Sequence, residues 1–173
     1  VFIYHSVKKT YSFEQLKRYD VVITSYTTLA VEYKKHLYGI VPKEKQNVTH
    51  DMDNLNKKKE KSYPMSYKSP FFSTDAKFYR TILDEVQWVK NKATNASLAV
   101  SALNSHYRWC LSGTPLQNKI DELFPYLRFL GIRPYNREAC FRYDILLPLK
   151  SNSANYDDYD KDKAMSKIRI LLK

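Results

Sequence analysis

The sequence predicts an α/β domain in which a parallel sheet is flanked by helices. Two continuous apolar runs, Phe78-Tyr79 through Ile82-Leu83 and Val21-Val22-Ile23, lack the alternation of a half-exposed strand and suit strands buried on both faces of a parallel sheet. Segments with helical spacing lie between such runs. The first run also stops abruptly on Asp84 and Glu85, at the end of a strand where open parallel sheets place their ligands.

In order, Val1 to Tyr4 reads as a strand and Phe13 to Tyr19 as a short helix, with Phe13 and Leu16 three residues apart. Asp20 to Thr24 gives a second strand. A helix over about Thr28 to Leu37 follows, since Leu29, Tyr33 and Leu37 recur every four residues. The strand ending at Asp84 and Glu85 leads to a helix from about Thr94 to Asn104, whose Ala96, Ala99, Val100 and Leu103 share one face. Tyr107 to Leu111 is the next strand, closing on the polar loop Ser112 to Asn118. Asn118 is a candidate cap for a helix carrying Ile120, Leu123, Phe124 and Leu127, in which Pro125 should cause a kink or a split. Gly131 and Pro134 mark its end. Phe141 to Leu149 is expected to pack on the domain, Ser151 to Lys163 to form an acidic and polar linker, and Ala164 to Leu172 to open a helix.

About residues 38–72 break the pattern. They are lysine-rich, include Lys57-Lys58-Lys59-Glu60-Lys61, and carry Pro64 and Pro70. Such a stretch buries too little apolar surface to offset its conformational entropy, so a disordered lysine-rich insertion is expected. A solvated loop is favoured there over a DNA-binding or nuclear-import patch.

The chain has 173 residues, 43% of them hydrophobic, which fits one ordinary core better than two. A formal net charge of +11 favours a polyanionic partner or a solvated basic surface about equally. Cys110 and Cys140 form no Cys-x-x-Cys pair, which argues against zinc and for a reducing compartment. No apolar run reaches the roughly 18 residues needed to span a bilayer, so no membrane partner is expected. His5, His36, His50 and His106 have no ligand or catalytic spacing. The chain opens without Met and closes in a helix, so a piece of a longer protein is expected.

Read from the residues alone, Asp84 and Glu85 suit either a metal-bound ligand site or the negative charge that caps a following helix. Ser112 to Asn118 is either a coupling loop or a strand-to-helix turn. Thr24, Ser25 and Tyr26 offer hydroxyl and amide contacts to phosphate oxygens, or a helix cap through Ser25 or Thr27.

Together, Leu83-Asp84-Glu85-Val86-Gln87, Ser112-Gly113-Thr114-Pro115-Leu116-Gln117-Asn118 with Asp121-Glu122-Leu123, and Asp20-Val21-Val22-Ile23-Thr24-Ser25-Tyr26 resemble the Swi/Snf family of DNA-dependent ATPases. Their order and spacing are similar to the first RecA-like lobe, from just before motif Ib through motif III. The resemblance implies a partial lobe over residues 1–149 and, over 150–173, a linker and helix leading to a second lobe. Gln87, where His is more usual, and Lys90-Asn91 are most similar to a fungal branch of RING-bearing, ubiquitin- and SUMO-linked translocases.

The resemblance implies that Asp84 holds magnesium and Glu85 orients or activates the attacking water, both acting on ATP. It also implies that Ser112, Gly113, Thr114, Gln117 and Asn118 form the coupling loop beside Gln87, and that Thr24, Ser25 and Tyr26 touch one DNA strand. Double-stranded DNA and chromatin are the implied partners and the nucleus the implied location, with ubiquitin- or SUMO-linked proteins following from the branch alone. Two features depart from the family pattern. Glycines at 39, 113 and 131 cannot build a P-loop, which tight binding of ATP and magnesium requires, and two cysteines cannot build a RING. Val86 and Trp88 also replace residues that are usually smaller. The expected function is part of an ATP-dependent DNA translocase, a remodelling or repair motor that is inactive as this piece alone. The alternative is a truncated, non-catalytic DNA- or protein-binding module.

Overall fold

The structure, a computed structural model, describes residues 1–5, 11–40, 67–114, 119–150 and 156–172. The insertion reading for about residues 38–72 therefore falls largely outside the described residues, as do Gln117 and Asn118. Two compact units divide the chain: residues 1–79 with 98–106, and residues 80–97 with 107–173.

In the first unit, β1 (Phe2–Tyr4) and β2 (Val22–Thr24) pair in parallel, with Phe2 opposite Val22 and Tyr4 opposite Thr24. Between them, α1 (Phe13–Leu16) is fixed by a reciprocal capping box: Ser12 Oγ accepts from the Gln15 amide, and Gln15 Oε1 accepts from the Ser12 amide. After β2 comes α2 (Tyr26–Ile40). It starts two residues earlier than its apolar spacing suggests, because Ser25 Oγ accepts from the Thr28 amide at 3.2 Å. The core of this unit is rich in aromatic side chains. Tyr4, buried, meets the Phe71 ring edge-on with centroids 4.8 Å apart, and Phe78 lies between Phe13 and Phe71.

β3 (Phe78–Leu83) and β4 (Ser105–Cys110) form the second sheet, and the boundary between the units falls within both strands. The Phe78 amide donates to Asn104 at one end, and the Leu111 amide donates to Leu83 at the other, so these strands also run parallel. Between them come a 3-10 turn (Val86–Val89) and α3 (Asn95–Ala102). The α/β prediction of short parallel sheets with helices between the strands therefore holds.

Burial of the strands on both faces does not hold. Tyr79 is 69% and Ile82 50% exposed, and Ile3, Val21 and Ile23 are exposed as well. These runs are apolar on both faces, and in β3 the exposed Tyr79 and Ile82 lie on opposite faces, so neither face is fully covered. On one face of β3 and β4, Arg80 lies over the rings of Tyr107 and Trp109, 5.9 and 5.0 Å from their centroids.

The second unit continues with a 3-10 turn (Ile120–Glu122) and α4 (Leu123–Leu130), which buries Leu123, Phe124, Tyr126, Leu127 and Phe129. The change from 3-10 to α geometry falls two residues before Pro125. The proline ring thus occupies the first turn, where no amide is needed. Gly131, at φ +73°, ends α4: the Ile132 amide donates to Leu127 and the Gly131 amide to Arg128, the paired bonds of a left-handed helix terminus.

Three short helical stretches follow, α5 (Glu138–Phe141), a π segment (Arg142–Leu146) and α6 (Leu147–Lys150), with Phe141 and Ile145 buried. The last helix, α7 (Asp158–Leu171), corrects the linker reading of Ser151 to Lys163. Asp157 accepts from the Asp160 amide at 2.8 Å and starts the helix there, six residues before the expected Ala164. No helix among the described residues is long and apolar enough to cross a membrane.

Candidate active site

β3 delivers Asp84 and Glu85 to its carboxyl end by burying Leu83 and then turning sharply. Glu85 adopts left-handed backbone angles (φ 49°, ψ 55°), which a residue with a Cβ seldom takes. That reversal lets the Val86 amide donate to the Leu111 carbonyl at 3.0 Å, while Val86 and Val89 plug the core beneath. Val86, an unusual residue in sequence terms, is 2% exposed and acts as this plug, whereas Trp88 is 74% exposed. Both carboxylates stay open to solvent, and Asp84 Oδ1 accepts from the Glu85 amide at 3.0 Å.

Opposite the turn, β4 ends at the loop carrying Ser112, Gly113 and Thr114. Three side chains form a relay. Ser112 Oγ donates to Gln87 Oε1 at 2.9 Å, and Gln87 Nε2 donates to Glu85 Oε2 at 2.7 Å. The Thr114 amide donates to Ser112 Oγ at 3.1 Å and completes it. Gln87 uses both ends of its amide at once, which fixes the carboxylate of Glu85 relative to the end of β4. Adding a Cβ at Gly113 meets nothing within 4 Å, and its φ is not left-handed, so neither local space nor backbone angle calls for glycine.

The donor set fits one metal and not another. Among the described residues no three His, Cys, Asp or Glu side chains converge, so an all-protein cage of the zinc kind is not built. Magnesium, however, takes one or two carboxylates and leaves the remaining positions to water and phosphate oxygens, and Asp84 with Glu85 meets that requirement. Cys110, one strand position from Leu111, lies outside this chemistry. Burial pushes its thiol up to about 11, so it stays protonated. A cavity of about 500 Å³ lined by Glu138, Ala139, Arg142, Tyr143 and Leu147 lies on the α5 and π segment.

Thr24, Ser25 and Tyr26 belong to the first unit. Thr24 Oγ1 donates to the Tyr4 carbonyl at 3.1 Å, and Ser25 Oγ lies 3.0 and 2.8 Å from the hydroxyls of Thr27 and Thr28 at the start of α2. The capping alternative for Ser25 is therefore realised. Ser25 remains exposed at the strand end.

Sequence reasoning missed a buried polar cluster in the first unit. Glu32 and Lys35 pair at 2.8 Å with both side chains buried, Ser69 Oγ donates to Glu32 Oε2 at 3.4 Å, and the Tyr67 hydroxyl donates to the same oxygen. Burial first, then the Glu32 carboxylate, raises the Tyr4 phenol above its ordinary range, and burial with the bond to Glu32 does the same for Tyr67. The available signal was the Glu32–Lys35 spacing on the face of α2 that also carries Leu29.

Comparison with known proteins supplies the wider frame. The family model described as the SNF2-related domain matches residues 1–173. The ATP-dependent helicase ULS1 of Saccharomyces cerevisiae is 44% identical over 168 residues, covering 95% of this chain and 10% of the relative. An ATP-dependent helicase of Schizosaccharomyces pombe, C23E6.02, is 37% identical over 174 residues, covering 100% of this chain and 15% of the relative. The chain thus spans a small part of the length of the relatives it matches. Among solved structures, the Sulfolobus solfataricus SWI2/SNF2 ATPase core in complex with dsDNA superposes with a TM-score of 0.53 at 22% identity, covering 90% of this chain and 24% of that one. At that identity the match speaks to the fold, a RecA-like ATPase core.

Proposed function

This chain belongs to the SNF2-related domain family, and from that premise we propose that it supplies the carboxylate half of an ATP-hydrolysing site in a longer, DNA-dependent motor. The observation that carries this reading is the Ser112–Gln87–Glu85 relay, which ties the loop after β4 to the strand-end carboxylate. In this reading Asp84 would hold magnesium, and Glu85 would accept a hydrogen bond from the attacking water and orient it. Bound magnesium supplies charge neutralisation of the transferring phosphate.

Gln87 keeps the Glu85 carboxylate in one orientation by donating to Oε2, which leaves the lone pairs of Oε1 to face a water. Ser112 in turn holds Gln87, so a shift of the loop would rotate the Gln87 amide and with it the carboxylate. Through this path, DNA or interlobe contacts at Ser112, Gly113, Thr114, Gln117 and Asn118 would change turnover. Thr24, Ser25 and Tyr26, at the end of β2, would meet a DNA strand chiefly through the exposed Ser25 hydroxyl and the amides at the start of α2.

Double-stranded DNA is the proposed partner, supported by a net charge of +11 and by the dsDNA held in the matched archaeal complex. A nuclear location and chromatin as the working substrate complete the proposal. The 173 residues contain no Gly-rich phosphate loop, so the chain alone is expected to hydrolyse no ATP. The test compares the full-length protein with the 173-residue piece for phosphate release with and without double-stranded DNA. DNA-stimulated release from the full-length protein alone supports the reading. Release from the piece, lost on Glu85→Gln, contradicts the predicted inactivity.

A further inference from the structure

Glu85 sits in a left-handed backbone conformation that is unfavourable for a residue with a Cβ, and such conformations persist only where the surroundings over-determine them. Directly after Glu85, the turn is fixed to the end of β4 by the Val86 amide, which donates to the Leu111 carbonyl, and the Val86 and Val89 side chains are buried. Further on, residues 90–94 carry local bonds of their own. The Ala93 amide donates to Asn91 Oδ1 at 3.0 Å, and the Thr94 hydroxyl donates to the Asn91 carbonyl at 2.9 Å. Bonds of this kind fix the shape of the loop but not its position.

Position comes from the solvent-exposed Lys92–Glu138 pair to α5 and, on the buried side, from α4. The Arg128 guanidinium donates to the Lys92 carbonyl at 3.3 Å and to Ser97 Oγ at 2.9 Å, and its plane lies over the Phe124 ring, 5.4 Å from the centroid. Ser97 is fully buried, so its hydroxyl is an acceptor shielded from water. In the 3-10 turn that leads into α4, Glu122 Oε1 meets Lys90 Nζ at 3.5 Å, with Glu122 largely buried. We propose that Arg128, with the Lys90–Glu122 pair, is a positioning residue: it braces residues 90–97 against α4 and thereby holds the left-handed turn that aims Glu85. This rests on the reading of Asp84 and Glu85 as an ATP site.

An arginine suits the role because one terminal nitrogen, Nη2, donates to both acceptors while the delocalised guanidinium lies over the Phe124 ring, a combination of reach and weak hydration that a compact ammonium lacks. α4 is also the helix that follows the Ser112 loop in sequence. The turn bearing Glu85 is therefore anchored at both ends to elements that flank this loop, at Leu111 before it and at α4 after it.

The test uses the full-length protein and two readouts. In Arg128→Ala, amide exchange over residues 86–94 rises about tenfold while β4 and α4 keep their protection. kcat for ATP falls roughly 10- to 100-fold with KM within about twofold, the pattern of a misplaced group. Arg128→Lys recovers only a small part of kcat. Ser97→Ala, a milder change that removes one acceptor, gives an intermediate loss and keeps the test open should Arg128→Ala fold poorly. Unchanged exchange over 86–94, exchange that rises equally across α4 and β4, or an unchanged kcat would each overturn the proposal. Glu85→Gln serves as the separate control. If it retains turnover, the ATP-site reading fails, while the exchange data still report whether the brace exists.

Discussion

Replacing Gln87 by Leu preserves the side-chain volume and removes both bonds of the relay. The bond to Glu85 is charge-assisted at 2.7 Å and the one from Ser112 is neutral at 2.9 Å. In a buried setting these would contribute about 1.5–3 and 0.5–1.5 kcal/mol respectively. Because Glu85 is exposed, water replaces much of the lost interaction, so the net cost falls to about 1–2 kcal/mol. Spent wholly on the orientation of Glu85, that is about 5- to 30-fold in kcat. Global stability changes by about 1 kcal/mol or less, since neither residue is part of the core.

The assay is ATP turnover by the full-length protein with and without double-stranded DNA. Gln87→Leu lowers the DNA-stimulated rate by that factor, lowers the unstimulated rate as well, and leaves the KM for ATP nearly unchanged. Gln87→His restores most of the loss, because a neutral imidazole can donate to Glu85 and accept from Ser112. Full DNA stimulation in Gln87→Leu would refute the relay as the coupling path.

Gly113→Ala should leave thermal stability unchanged or raise it by about 0.4–1 kcal/mol, as the added methyl meets nothing and the unfolded chain loses freedom. If it nonetheless depresses DNA-stimulated turnover, a ligand or moving segment approaches that backbone; unaltered turnover removes Gly113 from the coupling loop. Glu32→Ala leaves Lys35 buried beneath Tyr67 without its carboxylate partner and should destabilise the first unit by about 3 kcal/mol, read as faster amide exchange across α2. Little change in exchange would show that the cluster is not structural. At pH 8 the Cys110 thiol should resist alkylation, with about one part in a thousand ionised, and become reactive as pH rises toward 11. Because its folded value lies above the ordinary 9.0, the stability it contributes is full below pH 9 and is lost as pH climbs through about 11. Rapid labelling at pH 8 contradicts this.

Much of the fold was legible because the chain writes it in local patterns. The run ending at Leu83 and the β-branched Val22-Ile23 became strands, and Gly131 terminated its helix where the spacing ended. Helix starts were read less well. Those of α2 and α7 depend on single caps, Ser25 and Asp157, which apolar periodicity does not register. Burial was misjudged at Tyr79, Ile82 and Ile23, since an apolar residue records a capacity to be covered and not the presence of a neighbour. Asp84 and Glu85 stood out as an abrupt end to an apolar strand. The relay through Gln87 and the brace through Arg128 did not, because each joins polar side chains 25 or more positions apart in sequence.

The proposed role of Glu85 in the hydrolytic chemistry of a DNA-dependent motor is tested by ATP turnover of full-length Glu85→Gln with saturating double-stranded DNA. Turnover should fall at least about a hundredfold, the size expected when a positioned acid–base group is removed, with ATP and DNA binding both retained. DNA-stimulated turnover that persists near the level of the unmodified protein would contradict it.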